Sequence, residues 1–173
     1  MPESRSTEPL VWIDCEMTGL DTSKDTIMSI ACFITDHELN LLDERGYEAT
    51  ISHTQTQLRA MGEWCRTHHA ASGLTDACLK SSTTAEDAAS ALLSYIQKFA
   101  PQRKKALLAG NTVHADQRFL RKEPWRKVVG HLHHRILDAF LDNKSNVLRR
   151  KICWWTGTIV LDERKELHSM VFV

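Results

Sequence analysis

The sequence predicts an α/β fold in which helices flank a mixed sheet whose first three strands are antiparallel. Three short apolar segments joined by turns fill the N-terminal part of the chain, as expected for an antiparallel meander. From Thr54 the apolar spacing becomes helical, and later strand-like and helix-like segments alternate. Strands followed by alternating helices and strands indicate helices packed on a mixed sheet.

The predicted strands are short and apolar. Residues 10–13 (LVWI) form an apolar run that leads into acidic residues, and residues 26–36 (TIMSIACFITD) are rich in isoleucine. Residues 45–52 (RGYEATIS) continue the meander. Residues 106–111 (ALLAGN) are typical of a short buried strand, and residues 133–140 (HHRILDAF) are a further candidate.

Capping residues indicate where the first helical region begins and ends. Thr54 and Gln57 have the spacing of a capping box at the start of a helix over residues 54–64. Gly73 is a candidate C-terminal cap in the segment HHAASGL. The segment ADQRFLRK, residues 115–122, is expected to form the helix that follows the strand at 106–111.

The clearest helix lies in the segment TTAEDAASALLSYIQKFAP. Thr83 and Glu86 have capping-box spacing, and Pro101 ends the pattern. One apolar face is formed by Ala88, Leu92, Ile96 and Phe99. This face is expected to pack on the sheet.

Length and composition set limits on the kind of protein. The 173 residues, 42% of them apolar, suffice for one domain with a hydrophobic core. No apolar run approaches the roughly 20 residues of a membrane-spanning helix, so no membrane association is expected. The polar residues 1–9 lack a secretory signal and are expected to be disordered. The 22 basic and 22 acidic residues cancel, which argues against binding of long nucleic acid through its backbone.

The cysteines are expected to be free thiols in a reducing compartment. Their number is odd, and no two of them have the two-residue gap of a zinc or redox motif. The five are Cys15, Cys32, Cys65, Cys78 and Cys153. An intracellular location is therefore expected.

Two carboxylates near the end of the first strand are candidate metal ligands. Asp14 and Glu16 are two residues apart, so on an extended strand they project to one side while Cys15 faces the other. Neighbouring negative charges repel unless a cation lies between them, and Mg²⁺ or Mn²⁺ prefers carboxylate oxygens. The structural alternative is a solvated strand end without a chemical role.

A third carboxylate, Asp116, follows the strand at 106–111. It is expected in the first turn of the next helix, where the helix dipole stabilises a negative charge and the side chain can point back at the sheet. A simple helix-start aspartate is the structural alternative.

Four motifs in this order resemble the oligoribonuclease family. They are WIDCEMTGLD, MGEWCRTHHAASGL, GNTVHADQRFL and HHRILD, and together they extend from Leu10 to Asp138. The family belongs to the DEDD group of 3′-to-5′ exonucleases, which have a ribonuclease-H-like fold. The resemblance implies an exonuclease domain over residues 10–140 and a divergent tail over residues 141–173.

The resemblance implies roles for seven residues. Asp14, Glu16 and Asp116 match three of the four acids that bind two Mg²⁺ or Mn²⁺ ions, one activating water and the other stabilising the leaving 3′ oxygen. Leu20 matches a residue that wedges between the last two bases, and Trp64 matches an aromatic that packs on a base. His69 and Thr112 match residues near the substrate phosphate.

Structural alternatives exist for two of the implied substrate-binding residues. The aromatic ring of Trp64 is also compatible with a place in the hydrophobic core. His69 is also compatible with a helix-terminal position, bonded to a backbone carbonyl.

The resemblance also implies partners and a location. The substrates would be short RNA oligonucleotides, and the protein would be a homodimer whose second subunit contributes the segment His133 to Arg135. Most relatives have tyrosine where this chain has His134, so this contribution is expected to be altered. The compartment would be cytoplasmic or mitochondrial.

The tail departs from the family. The family's last motif is a histidine, four intervening residues and an aspartate, which supply the general base and the fourth metal ligand. Residues 141–173 contain no such motif. His133 and Asp138 have the required gap but match an earlier family segment.

The departure leaves three interpretations open. They are an impaired enzyme, a protein that binds short nucleotides without cleaving them, and a product that folds poorly. An alternative exon, a frame shift or a truncated gene model would give such a tail, and sequencing the transcript tests that hypothesis.

Overall fold

A five-stranded mixed sheet forms the centre of the computed structural model, which describes residues 8–138. The strands are β1 (Leu10–Met17), β2 (Ile27–Thr35), β3 (Tyr47–Thr50), β4 (Leu107–Gly110) and β5 (Ile136–Asp138). Their order is β3-β2-β1-β4-β5. The first three are antiparallel neighbours, whereas β4 runs parallel to β1 and β5 runs parallel to β4. The predicted α/β fold with an antiparallel beginning is confirmed.

Six helices connect these strands within the described residues. They are α1 (Gln55–Arg59), α2 (Glu63–Ala71), α3 (Leu74–Lys80), α4 (Ala85–Phe99), α5 (Val113–Leu120) and α6 (Arg126–His131). The first four lie between β3 and β4, and the last two lie between β4 and β5. The helices α3 and α6 were not predicted, because two turns or fewer are too short to show a clear helical period.

The first helical region begins where the sequence predicts but is divided in two. The Thr54 hydroxyl accepts from the Gln57 amide while the Gln57 side chain accepts from the Thr54 amide, so the capping box is confirmed. The single helix predicted over residues 54–64 is wrong, because Gly62 adopts an extended ψ of 155° and α2 starts afresh after it. Gly73 has a left-handed φ of 80° just past the end of α2, as predicted.

The start of α4 is shifted by one residue from the prediction. The N-cap is Thr84, whose hydroxyl accepts from the Asp87 amide at 3.1 Å. Thr83 cannot take this position, because its amide donates to the Ser81 hydroxyl and its carbonyl accepts from the Ser52 amide. Pairing with the neighbouring loop therefore decides between two adjacent threonines.

The main core lies on the face of β1 formed by Val11, Ile13 and Cys15. These side chains pack with those of β2, α4, α5 and α6. The predicted α4 face is confirmed, since Ala88, Leu92 and Ile96 are fully buried in this core and Phe99 packs at its edge. A second, smaller cluster is formed by Met28, Leu58, Met61 and Cys78.

Four of the five cysteines are free, as expected: Cys15, Cys32, Cys65 and Cys78. Cys153 lies outside the described residues. Within residues 8–138, the helices are all too short or too polar to cross a membrane.

The predicted domain limits remain predictions. Residues 1–7 and the tail over residues 141–173 lie outside the described residues. At residues 8 and 9, which are described, the Pro9 carbonyl accepts from the Leu107 amide and Lys105 Nζ lies 3.6 Å from Glu8 Oε1.

Gly110, the last residue of β4, is tightly enclosed. A Cβ at this position would lie 2.8 Å from the Ile13 carbonyl oxygen and 2.9 Å from Val113 Cγ2. Because the first of these is backbone, Gly110→Ala is expected to lower the free energy of unfolding by about 1–3 kcal/mol, as overpacking does. Chemical denaturation measures this change.

Gly130 provides the matched control for that measurement. It lies within α6, and a Cβ there would meet nothing within 4 Å. Gly130→Ala is expected to raise stability by about 0.5–1 kcal/mol, since alanine favours helix. Equal effects of the two substitutions would contradict the tight approach of β4 to β1.

Candidate active site

Asp14 and Glu16 lie within β1 and project to the same side of the sheet. Strand β1 extends to Met17, with Asp14 opposite Ala31 and Glu16 opposite Ser29 of β2. Cys15, between them, is buried in the main core. The alternation therefore directs both carboxylates away from that core, as the sequence predicts.

Asp116 reaches β1 from the first turn of α5. The pairing of β4 with β1 extends only to Trp12 opposite Ala109, so the Cys15 amide lies beyond the paired part of β4. Asp116 supplies the missing acceptor, because its Oδ1 accepts from the Cys15 amide at 3.0 Å. Two aspartates about a hundred residues apart in sequence thereby converge at the end of β1.

The electrostatics of the site disfavour three ionised carboxylates. Burial, reinforced by the charge of Asp14, raises the pKa of Asp116 to about 7, although the Cys15 amide opposes the shift. Burial and then the charge of Glu16 raise the pKa of Asp14 to about 6, even though solvent still reaches this side chain. Burial also raises the pKa of Glu16, and His68 partly offsets that rise.

None of these carboxylates forms an ion pair in the described part of the chain, although the charge of His68 acts on Glu16. The ion pairs within residues 8–138 involve none of the three acids. Neighbouring carboxylates with raised pKa values suit a divalent cation, which would restore their ionised forms.

The donor set for a metal is nevertheless small. Among residues 8–138, no three His, Cys, Asp or Glu side chains converge closely enough to hold an ion by themselves. Mg²⁺ commonly uses one or two protein carboxylates and completes its shell with water and substrate phosphate. Asp14 and Asp116 fit that pattern, with Glu16 beside Asp14.

Trp64 forms an exposed aromatic surface on α2. Its side chain is 62% exposed, so the core alternative is excluded. The His68 ring, one helical turn later, stacks against it with centroids 4.8 Å apart and planes 9° apart. Because the charge of His68 acts on Glu16, this stacked pair lies beside the carboxylates.

His69, the histidine predicted to lie near the substrate phosphate, is in a different environment from His68. It is only 2% exposed, and its Nε2 donates to the Met17 carbonyl at 2.9 Å. This is the structural alternative described above. His69 thus holds the end of β1 next to Glu16, while His68 faces the site.

Leu20 and Thr112 lie on the loops at this end of the sheet. Leu20, between β1 and β2, is 57% exposed. Thr112 precedes α5 with a left-handed φ of 55°, and its amide donates to Asp138 Oδ1 at 2.8 Å. The other oxygen of Asp138 lies 2.6 Å from His114 Nδ1.

His133 and Asp138 have the spacing of the family's last motif, but their side chains have different hydrogen-bond partners. The Asp138 carboxylate accepts from the Thr112 amide at the start of α5. Nδ1 of the His133 ring accepts from the Arg135 amide. The two residues are not partners in a site with Asp14. Asp138 instead holds the loop that carries Thr112.

Sequence reasoning missed two residues of this region. The signal for His68 is its position four residues after Trp64, which places both rings on one face of a helix. Asp138 carried a weaker signal as the last residue of a short strand parallel to β4. Its role depends on bonds to a distant loop, which no local pattern reveals.

Comparison with known proteins places the chain in a family. The model of the RNase_T exonuclease family matches residues 11–149. The probable oligoribonuclease of Schizosaccharomyces pombe is 47% identical over 136 residues, which cover 79% of this chain and 53% of that protein. The mitochondrial oligoribonuclease of Saccharomyces cerevisiae is 44% identical over 138 residues, covering 76% and 51%. The chain spans about half the length of these curated relatives.

A solved structure supports the fold. A product-bound exonuclease I superposes with a TM-score of 0.54 at 16% identity, covering 89% of this chain and 34% of that one. Identity this low shows the fold alone, and the predicted ribonuclease-H-like architecture is confirmed. With its family model and its relatives in agreement, the chain belongs to the RNase_T exonuclease family and is a homologue of the oligoribonucleases.

Proposed function

We propose that this protein is a 3′-to-5′ exoribonuclease that degrades short RNA oligonucleotides to mononucleotides with divalent metal ions. One observation carries the proposal: Asp116 of α5 meets β1 through the Cys15 amide, beside Asp14. This convergence of acids occurs in a chain whose relatives are named oligoribonucleases.

In this proposal Asp14, Glu16 and Asp116 hold Mg²⁺ or Mn²⁺. When bound, two such ions would polarise the phosphodiester, activate water and stabilise the leaving oxygen. The protein's own contribution is to hold the three carboxylates near one another, with Asp116 buried, so that their pKa values are raised. His69 contributes by holding the Met17 carbonyl, and hence the end of β1, in place.

The substrate would lie across the exposed apolar residues beside the acids. Trp64 offers a ring face for a base, and stacking of this kind tolerates any sequence. Leu20 would offer an apolar contact between bases, and Thr112, at the start of α5, would lie near the phosphate. A net charge of zero favours a short, end-bound RNA over a long one.

The remaining partners and the location are parts of the same proposal. We infer a homodimer, as in the family, and a cytoplasmic or mitochondrial location. The Saccharomyces cerevisiae relative carries the name mitochondrial oligoribonuclease, which supports the second compartment.

A second candidate function is binding of short nucleotides without cleavage. Two observations favour it: the described residues hold no complete set of three metal ligands, and residues 141–173 lack the family's last histidine and aspartate. Loss of a general base and a metal ligand costs rate by orders of magnitude but leaves the base-binding surface intact.

One assay separates these functions. The full chain is incubated with a 5′-labelled RNA pentanucleotide, a 5′-labelled dinucleotide and a 5′-labelled 20-nucleotide RNA, in Mn²⁺ or in EDTA. The proposed enzyme would shorten the pentanucleotide stepwise while the 5′ label persists, would cleave the dinucleotide, and would act slowly on the longest RNA. EDTA would abolish every product.

Binding is measured in parallel by anisotropy of a fluorescent dinucleotide. Saturable binding without product would support the second function and reject the first. Internal cleavage of the 20-nucleotide RNA would contradict degradation from the 3′ end, and activity that persists in EDTA would contradict the need for metal.

A further inference from the structure

In the loop between β1 and β2, residues 18–26, the carboxylate of Asp25 accepts hydrogen bonds from two other residues of the loop. Asp25 Oδ1 accepts from the Thr18 hydroxyl at 3.0 Å, and Asp25 Oδ2 accepts from the Asp21 amide at 2.9 Å. The Asp25 amide in turn donates to the Asp21 carbonyl at 2.8 Å. The two sides of the loop are therefore joined through one side chain.

Both neighbours of Leu20 touch this carboxylate. Asp21, which follows Leu20, donates its amide to it. Gly19, which precedes Leu20, packs so closely that a Cβ would lie 2.4 Å from Asp25 Oδ2. Leu20 itself extends into solvent from between these two fixed points.

The base of the loop is anchored to the body of the domain. The Thr26 amide donates to the Thr18 hydroxyl at 3.0 Å, and the Thr18 amide donates to the Thr26 carbonyl at 3.0 Å. The Thr26 hydroxyl lies 3.0 Å from Nε2 of His53, whose Nδ1 lies 3.0 Å from the Ile51 carbonyl. The loop thus cannot move as a unit without breaking these bonds.

We propose that Asp25 is a positioning residue that fixes Leu20 in the conformation that contacts the bases of a short RNA. The inference rests on the proposed function, in which Leu20 lies between bases. An exposed apolar side chain on a free loop would lose conformational entropy on binding, and a side chain on a preorganised loop avoids the part of that loss that comes from the backbone. The hydrogen bonds of Asp25 supply the preorganisation.

Two substitutions test this by different routes. Asp25→Asn keeps one acceptor oxygen and replaces the other by an amide donor, so either Thr18 or Asp21 loses its partner. Gly19→Ala leaves Asp25 intact but forces its carboxylate aside. Asp36→Asn is the matched control, because Asp36 accepts from the Glu38 and Asn40 amides in the loop at the opposite end of β2.

Binding of a fluorescent RNA dinucleotide is measured on the full chain, with Ca²⁺ replacing Mn²⁺ to limit turnover. Asp25→Asn and Gly19→Ala are each expected to raise Kd about fivefold, because the loosened loop has to be ordered when the dinucleotide binds. Asp36→Asn is expected to leave Kd within twofold. Leu20→Ala combined with Asp25→Asn is expected to bind as Leu20→Ala alone, because Asp25 acts through Leu20.

A second readout does not depend on nucleotide binding. Methyl-labelled leucine gives an NMR order parameter for Leu20, which is expected to fall in Asp25→Asn and Gly19→Ala but not in Asp36→Asn. Unchanged Leu20 order, or additive effects of Leu20→Ala and Asp25→Asn on Kd, would overturn the inference. If the parent chain binds no dinucleotide, the proposed function fails, and the order parameter alone decides whether Asp25 fixes Leu20.

Discussion

Asp14→Asn is expected to reduce cleavage of an RNA dinucleotide in Mn²⁺ by at least about a hundredfold, because removing an electrostatic contributor to a transition state costs that much. Asparagine has nearly the same shape, so the fold should persist and the loss should appear in kcat. A neutral amide cannot balance a divalent cation as a carboxylate does. Initial rates over a range of dinucleotide concentrations give kcat and KM separately.

The control for this prediction is Asp36→Asn, which removes a negative charge from an exposed loop at the other end of β2. Its kcat should match that of the parent chain. A kcat for Asp14→Asn within a few-fold of the parent value would exclude Asp14 from metal binding, and with it the proposed mechanism.

Asp116→Asn is expected to stabilise the metal-free protein at pH 8. Burial raises the pKa of Asp116 from 3.8 to about 7, so between these pH values the folded state holds a proton that the unfolded state has lost. The stability contributed by this group is therefore greatest below pH 4, declines between pH 4 and pH 7, and at pH 8 carries the full cost of ionising the buried carboxylate. Asparagine removes that cost while its oxygen can still accept from the Cys15 amide. The gain is expected to be about 2–4 kcal/mol.

Thermal melting in EDTA and in Mn²⁺, from pH 5 to pH 8, measures this effect. In the parent chain, stability in EDTA should decline over this range, and Mn²⁺ should restore it by binding the ionised carboxylates. Asp116→Asn should show a weaker decline and little response to Mn²⁺.

Asp36→Asn should change stability in the opposite direction. Hydrogen bonds from Asn40 lower the pKa of Asp36, so its ionised form stabilises the folded protein at pH 8. A destabilised Asp116→Asn variant at pH 8, with no response of the parent chain to Mn²⁺, would contradict repulsion between the buried Asp116 carboxylate and Asp14.

Local features were predictable where neighbouring residues decide the outcome. The capping box of Thr54 and Gln57 involves groups three residues apart, and the common direction of Asp14 and Glu16 follows from the geometry of any strand. Where two adjacent residues could both fill one structural position, the sequence did not show which of them does. Thr83 and Thr84 are equally good N-caps, and the Ser52 and Ser81 contacts selected the second.

Adjacent histidines show the same limit at the site. The neighbouring residues do not show which of His68 and His69 is buried. Successive residues on a helix point about 100° apart, so only one of the two can face a given side. The packing of α2 turns His69 inward to the Met17 carbonyl and leaves His68 against Trp64. Only the orientation of the helix on the sheet could decide which of them faces the carboxylates.

The sequence by itself determined the fold class, the free thiols of the described cysteines, and membership in an exonuclease family through motifs in a fixed order. These depend on periodicity, composition and short-range spacing. The tertiary structure decided that Asp116 accepts from the Cys15 amide, that Asp138 accepts from the Thr112 amide, and that Asp25 accepts from the Asp21 amide beside Leu20. Each of these is a hydrogen bond whose partner is set by where a strand ends or a loop folds back, which the residues on either side do not determine.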